Sequence, residues 1–287
     1  MTRIERAVRM GGLWLALAAC GSSGAAVVLP PDRGEAAGMP ARRIVALAPH
    51  VAELVWAAGA GHRLVGVVAG SDWPVEVRSL PVIGSPGRLD RERVAALAPD
   101  LAIGWTSGDP PADLAWLRAR GVAVHSTDAR RLEDVAASLR AIGRLAGVVE
   151  SSERAAAAFE RELASVSSTA GGASPRVFYQ VWDRPPMTVS SSHYIGQAIE
   201  RCGGVNVFGS LPQPVPVVSA EAVLASRAQV VVAARGAADP FARWRDRPAL
   251  PAVLAGRTRT VDPDLLHRPG PRLIEGLRQL CAAIGGA

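Results

Sequence analysis

Short apolar runs alternate with amphipathic stretches along most of the chain. The pattern predicts a buried strand at 44–47, a helix at 51–58 and a strand at 64–68, followed by strands at 101–104 and 122–125. Apolar runs of this length are typical of parallel strands that helices cover on both faces. The first half of the chain is therefore predicted to form an α/β lobe with a mainly parallel sheet.

A longer amphipathic stretch, rich in Ala, Glu and Arg, separates this half from the rest. It covers 149–167, places Phe159 and Leu163 on one face, and ends before the Gly pair at 171–172. A strand at 177–181 then begins a second series of strands and helices. We therefore predict an N-terminal α/β lobe at 41–147, a linking helix at 148–170 and a C-terminal α/β lobe at 171–287.

Two stretches of the chain, at 89–103 and 218–232, are versions of one unit without gaps. Each has a helix cap, a short helix and a buried strand, and their repetition predicts two similar lobes with a binding site between them. Helix-strand units resemble one another in any α/β protein, so the repeat alone leaves chance similarity open. The matched polar residues are Asp90 with Ser219 as caps, and Glu92 with Glu221 in the first helical turn.

Composition excludes several classes of function. The hydrophobic content of 49% and charged content of 20% are those of a globular protein. All 32 basic residues are Arg, so P-loop and Schiff-base mechanisms, which need Lys, are excluded. The net charge of +6 is dispersed along the chain, and we expect no nucleic acid partner.

The N-terminus has the layout of a signal peptide. Three arginines precede an apolar run at 13–19, which is too short to span a bilayer. Leu-Ala-Ala-Cys at its end resembles the bacterial lipoprotein signal, in which the cysteine is lipidated. We predict a signal peptide at 1–19, a lipid anchor on Cys20, a flexible tether at 20–40 and a periplasmic location; an ordinary signal with an incidental Cys20 is the alternative.

Export bears on the two remaining cysteines, Cys202 and Cys281. An oxidising compartment favours a disulfide between them, and two buried free thiols are the alternative.

No catalytic or metal-binding signature stands out. The five histidines lack metal-ligand spacing, and HExxH, CxxC and GxSxG motifs are absent from the sequence. We therefore predict neither catalytic residues nor a metal or cofactor. An α/β enzyme with a dispersed active site remains an alternative, because geometry rather than residue order defines such a site.

Large aromatic residues follow the predicted strands in polar, Gly- and Pro-rich loops. The carboxyl ends of parallel strands face the binding crevice of α/β proteins, where Trp offers a flat surface and an N–H donor. Loop anchoring and surface ion pairing are the alternative roles for these residues. The candidates for contact with a large, flat ligand are Trp73, Trp105, Trp182 and Tyr194, with Asp264 and Arg268 as polar contacts.

From residue 43 to its end, the chain resembles the family of periplasmic cobalamin-binding proteins of vitamin uptake ABC transporters. The resemblance lies in Ile-Val-Ala-Leu-Ala-Pro-His at 44–50 with Glu53, Ser-Asp-Trp-Pro at 71–74, the segment 92–101 with Trp105, Cys-Gly-Gly-Val-Asn-Val-Phe at 202–208, and Asp264 with Arg268 and Arg272.

The resemblance implies two Rossmann-like lobes joined by one backbone helix, a corrinoid in the cleft between them, and docking of a monomer on the membrane subunits of an ABC transporter. In the family, one glutamate per lobe pairs with arginines of the membrane subunits. The residues that match family positions are Glu92 and Glu221 for docking, Trp73, Trp105, Asp264 and Arg268 for the ligand, and Cys202 and Cys281 for a disulfide.

Two family tryptophans that flank the ligand correspond here to Pro86 and Val215, and Trp182 or Tyr194 are candidates to compensate. Relatives with this fold carry ferric siderophores or haem, which are the alternative cargoes. A scavenger or chaperone without a transporter is a further alternative. The candidate axial ligands for haem are His50, His193 and Tyr194.

Overall fold

Strands and helices alternate through the computed structural model, which describes residues 39–166, 174–236 and 238–285. The strands are β1 Ile44–Ala46, β2 Leu64–Val67, β3 Gly84–Ser85, β4 Arg88–Leu89, β5 Leu101–Trp105, β6 Ala123–Thr127, β7 Arg176–Gln180, β8 Val205–Asn206, β9 Val230–Ala234 and β10 Thr258–Val261. The α-helices are α1 Pro49–Val55, α2 Arg91–Ala96, α3 Pro111–Ala119, α4 Asp134–Leu145, α5 Val149–Ser165, α6 Tyr194–Arg201, α7 Ala220–Ala225, α8 Pro251–Leu254, α9 Pro263–Leu266 and α10 Leu273–Gly285.

Two parallel sheets of four strands have the same topology. The first has the order β2-β1-β5-β6, and the second has β10-β9-β7-β8, which is the same order when read from its other edge. We call the first sheet with its helices the N-terminal lobe and the second the C-terminal lobe. The described residues thus confirm the predicted α/β class with two similar lobes.

The repeated unit occupies equivalent places in the two sheets, because its strands are β5 and β9. Asp90 caps α2 by accepting the N–H of Arg93, and Ser219 caps α7 in the same way. Ala98 and Arg227 occupy matching positions after these helices, with φ values of 42° and 52°. They are the non-glycine residues with positive φ in the described part of the chain. The repeat therefore extends to backbone conformation.

Helix α5 carries the chain from the first sheet to the second. It packs against α4, and beyond it Arg201 of α6 donates hydrogen bonds to the carbonyl oxygens of Leu163 and Val166. Phe159 and Leu163 lie on its buried face, as predicted. The helix ends at Ser165, and the residues after 166 up to 173 lie outside the described part. The predicted lobe boundaries stay predictions.

Helix α1 is shorter than the helix predicted at 51–58, because a π-helical turn at Trp56–Ala60 follows it. Gly59 lies in that turn with φ of 93°, a conformation that suits glycine.

The C-terminal lobe contains the predicted disulfide. It joins Cys202, at the end of α6, to Cys281 in α10, with the two Cα atoms 4.7 Å apart. Among the described residues, we find no helix with the length and apolar character needed to span a membrane.

Candidate functional site

The predicted ligand residues follow strands at the carboxyl edges of the two sheets. Trp105 ends β5, Trp73 lies after β2, and Trp182 comes two residues after β7. Asp264 and Arg268 lie on and just after α9, which follows β10. Parallel α/β proteins bind ligands at this edge, so both lobes contribute to one candidate cleft.

Arg268 connects the lobes through an ion network. Its Nη1 lies 2.7 Å from Oδ1 of Asp72 and 3.3 Å from Oε1 of Glu53, both in the N-terminal lobe. Its Nη2 lies 2.7 Å from Oδ1 of Asp264 and donates to the carbonyl oxygen of Gly70 at 3.3 Å. Asp264 and Arg268 do pair, but within an inter-lobe network rather than as an isolated surface pair.

A second arginine of the C-terminal lobe completes this network. Nε and Nη2 of Arg272 donate to the two carboxylate oxygens of Glu53, at 3.0 and 2.6 Å. The guanidinium also lies 5.0 Å from the ring centre of Trp73, within the range of a cation–π contact. Arg272 therefore links a buried carboxylate to an aromatic residue of the candidate cleft.

Contacts within the network stabilise the charged forms of Asp72, Arg268 and Arg272. Burial by itself favours the neutral forms, but hydrogen bonding and charge attraction between Asp72 and Arg268 lower the pKa of Asp72 and raise that of Arg268. Hydrogen bonding to Glu53 raises the pKa of Arg272. The cleft therefore contains fixed charges of both signs.

Trp105 is held by the loop that follows it. Its backbone N–H donates to Oδ2 of Asp109 at 2.5 Å, and burial raises the pKa of that carboxyl. Gly108 lies so close over the indole that a Cβ there would be 2.2 Å from a ring atom. The rings of His50 and Trp105 form a T-shaped pair, nearly perpendicular, with ring centres 5.6 Å apart. The loop and His50 therefore both restrict the position of the Trp105 indole.

His50 is 5% exposed, and its Nε2 has no hydrogen-bond partner among the described residues. Burial, with a smaller effect of the Arg268 charge, lowers the pKa of His50 to about 4. His50 is therefore a neutral imidazole at physiological pH, next to both Trp105 and the ion network.

Trp182 presents an exposed indole on the C-terminal lobe. Its side chain is 61% exposed, and its Nε1 donates to the carbonyl oxygen of Arg184 at 3.1 Å. β-Bridges through Met187 bring Val217, also 60% exposed, close to it. With Trp73 at 37% exposure, each lobe leaves aromatic surface open at its carboxyl edge.

Tyr194 lies in the core instead of on an open surface. It is 5% exposed, its ring stacks on His193, and its hydroxyl donates to the carbonyl oxygen of Leu266 at 3.0 Å. Burial raises the pKa of this hydroxyl, which stays protonated. This placement gives Tyr194 a packing role and does not favour the ligand contact or axial ligation predicted for it.

His193 caps α6. Its Nδ1 accepts the N–H of Ile195 at 3.2 Å, and burial lowers the pKa of His193 to about 4. Neutral His193 therefore carries its proton on Nε2, so neither nitrogen offers a free lone pair. Within the described residues, no three His, Cys, Asp or Glu side chains are placed to hold a metal ion.

The two predicted docking glutamates lie on separate lobes. Glu92 and Glu221 are exposed in the first turns of α2 and α7. Hydrogen bonds from its own backbone N–H and from the Ser219 hydroxyl lower the pKa of Glu221. Both carboxylates are available to a partner.

Pro86 and Val215, which correspond to the two family tryptophans, both lie in the described part of the chain. Pro86 is exposed at the turn of the β3–β4 hairpin, and Gly87 beside it approaches Gly108, which covers Trp105. Val215 is half-buried. The hairpin therefore borders the cleft without adding an aromatic surface.

Sequence reasoning assigned no role to Glu53, Asp72 or Arg272. A signal for Glu53 was available: it is a carboxylate on a helix whose neighbours at 51–55 are otherwise apolar. Such a charge within an apolar face indicates a buried ion pair, but the pattern cannot identify its partner.

The sequence matches the family described as periplasmic binding protein over residues 44–266. It is 33% identical to the vitamin B12-binding protein of Vibrio cholerae (strain El Tor Inaba N16961) over 84% of this chain and 88% of the relative. It is 35% identical to the vitamin B12-binding protein of Pectobacterium carotovorum (strain PC1), covering 85% and 88% of the two chains.

Solved structures show the same similarity. The crystal structure of the periplasmic vitamin B12 binding protein of Vibrio cholerae has a TM-score of 0.74, with 31% identity, and covers 85% of this chain and 97% of that one. The periplasmic heme-binding protein of Roseiflexus sp. RS-1 has a TM-score of 0.73, with 26% identity, covering 85% and 98%.

Proposed function

Because this chain belongs to the periplasmic binding protein family, we propose that it binds cobalamin or a related corrinoid and delivers it to an ABC importer. The cargo is proposed from the sequence identity of 33% and 35% to two vitamin B12-binding proteins, which extends over most of this chain and of each relative. Periplasmic binding proteins transport solutes without catalysing a reaction, so the protein needs no cofactor of its own.

The geometry of the cleft supports a large amphipathic ligand. Trp73 and Trp182 expose indole surface at the carboxyl edges of the two sheets, and Trp105 lies at the same edge of the first. Arg268 and Asp264 place charged groups between the lobes. A corrinoid combines a flat ring with a rim of amides, which suits aromatic walls and polar contacts.

Titration of the purified mature protein tests the cargo. We expect cyanocobalamin or cobinamide to bind with a submicromolar Kd, measured by calorimetry and by quenching of tryptophan fluorescence. Haemin and a set of ferric siderophores serve as competitors. Absence of submicromolar corrinoid binding would remove the proposed cargo.

Haem is the second candidate cargo. The similarity to a heme-binding protein and the unpartnered Nε2 of His50 favour it. If haemin binds through this imidazole, the absorption spectrum of haemin with His50→Phe will differ from that with the wild-type protein. If the protein carries only corrinoids, the spectra of haemin with the two proteins will be the same.

We further propose that Glu92 and Glu221 dock the protein on the membrane subunits. Both are exposed first-turn carboxylates, one per lobe. Glu92→Ala with Glu221→Ala is expected to abolish uptake while leaving ligand affinity normal. Glu150→Ala is the matched control, because Glu150 is an exposed first-turn carboxylate of α5. Normal uptake by the double variant would exclude this role.

Membrane attachment is proposed from the sequence, since Cys20 and the signal region lie outside the described residues. We expect a monomer in the periplasm, anchored by a lipid on Cys20. Cys20→Ser should release the protein from the membrane fraction, and an unchanged distribution would argue against the anchor.

A further inference from the structure

The ion network between the lobes is centred on Glu53. We call its five members, Glu53, Asp72, Asp264, Arg268 and Arg272, the Glu53 network. Glu53 and Asp72 belong to the N-terminal lobe, and the other three belong to the C-terminal lobe.

Glu53 is the buried member of the network. It is 1% exposed on a helix whose other inner positions, apart from His50, are apolar, and it receives three hydrogen bonds from the two arginines. A buried carboxylate is costly unless charged donors compensate it. Both donors come from the opposite lobe, so burial of this charge depends on how the lobes meet.

The same arginines hold a loop of the N-terminal lobe. Arg268 binds the Asp72 carboxylate and the carbonyl oxygen of Gly70, while Arg272 lies over the ring of Trp73. The conformation of the loop at 70–73 therefore depends on the positions of two arginines. Glu53 fixes those positions by accepting hydrogen bonds from both. Trp73 itself remains partly exposed.

We propose that Glu53 is a positioning residue for ligand binding: it fixes Arg268 and Arg272, and through Arg272 it orients the indole of Trp73. A preorganised aromatic surface loses less conformational entropy when a ligand binds, so the affinity depends on this support. The inference rests on the proposed function for its ligand, but the contacts that carry it are internal to the chain.

A double-mutant cycle between Glu53→Gln and Trp73→Ala tests this role. Glu53→Gln keeps the shape and removes the charge, and we expect it to weaken cyanocobalamin binding by about tenfold. In the Trp73→Ala background the same change should weaken binding by a clearly smaller factor, because the indole is gone and only the support of Arg268 remains to be lost.

The matched control is Glu162→Gln. Glu162 also pairs with an arginine, Arg278, at 3.2 Å, but neither residue belongs to the Glu53 network. This variant should leave the affinity unchanged. A loss of affinity that is equal with and without Trp73 would overturn the positioning of Trp73, and a lower Tm with unchanged Kd would overturn the positioning role altogether.

A measurement without ligand separates this inference from the proposed cargo. Acrylamide quenching of Trp73, obtained by subtracting the signal of Trp73→Phe, should increase when Glu53 is changed to Gln. If Glu53→Gln does not fold, Arg272→Lys takes its place, because it keeps the charge and loses the two-point contact. Unchanged quenching would refute the inference even if corrinoid binds, and increased quenching would support it even if no corrinoid binds.

Discussion

Burial sets the protonation state of His50. Its pKa falls from 6.5 to about 4, because the folded protein keeps the imidazole away from water and close to Arg268. The unfolded chain binds a proton below about pH 6.5, whereas the folded protein does so only below about pH 4. His50 therefore makes the folded state less stable as the pH falls through this window.

We predict that the wild-type protein loses about 2 kcal/mol of unfolding free energy between pH 7 and pH 5 through His50 alone. Urea unfolding at several pH values measures this loss. In His50→Phe the dependence on pH should weaken without vanishing, because His193 has a similarly lowered pKa. An identical slope in both proteins would contradict the assignment.

Trp105 provides a second prediction for a single residue. Trp105→Ala should weaken ligand binding by about 1 to 3 kcal/mol if its indole is a hot spot of the cleft. Trp116→Ala is a suitable control, since Trp116 lies on α3 between Arg91 and Arg120. Calorimetry measures the ligand affinity of both variants. An equal loss of affinity in the two would show that Trp105 has no special role in ligand binding.

The repeat shows how far similarity between two elements extends. In the N-terminal lobe, Nη2 of Arg43 donates to the carbonyl oxygen of Leu97 at 2.7 Å. In the C-terminal lobe, Nε of Arg176 donates to that of Ser226, the matching position, at 2.9 Å. The arginine that precedes or begins the neighbouring strand thus satisfies a carbonyl at the end of each repeated helix. The repeat therefore extends from sequence and caps to the contacts at the end of each helix.

The positive φ of Ala98 predicts a stabilising substitution. A left-handed conformation costs a residue with Cβ about 1 to 2 kcal/mol, and glycine avoids that cost at the expense of some backbone entropy. Ala98→Gly should therefore increase the unfolding free energy by about 0.5 to 1 kcal/mol. Ala95→Gly, also exposed but within α2, should instead decrease it by about 1 kcal/mol. Destabilisation by both substitutions would contradict the argument.

At the scale of the whole molecule, two kinds of long-range link hold the chain together. The disulfide between Cys202 and Cys281 closes a loop with a sequence separation of 79. The Glu53 network joins the lobes, with Glu53 and Arg272 separated by 219 positions. The first link restricts the unfolded chain, whereas the second acts only once both lobes have folded.

Removing the disulfide should therefore destabilise the C-terminal lobe. For a loop of this length the chain-entropy account gives a loss of about 4 to 5 kcal/mol. Cys202→Ala with Cys281→Ala tests this by urea unfolding, and the reduced wild-type protein should show a similar loss. A difference below about 1 kcal/mol would show that packing of α6 on α10 suffices.

The sequence by itself predicted the α/β class, several strands and helices to within a few residues, the repeated unit with its caps, and a disulfide between Cys202 and Cys281 as the favoured state of the two cysteines. These features follow from local periodicity, from side chains a few positions apart, or from a small number of possible partners. Only the tertiary structure decided that Tyr194 is buried, that His50 is a neutral imidazole whose Nε2 has no hydrogen-bond partner among the described residues, and that Glu53 joins two arginines of the other lobe. Burial and charge pairing depend on which surfaces meet after folding, and no local pattern specifies contacts between residues about two hundred positions apart.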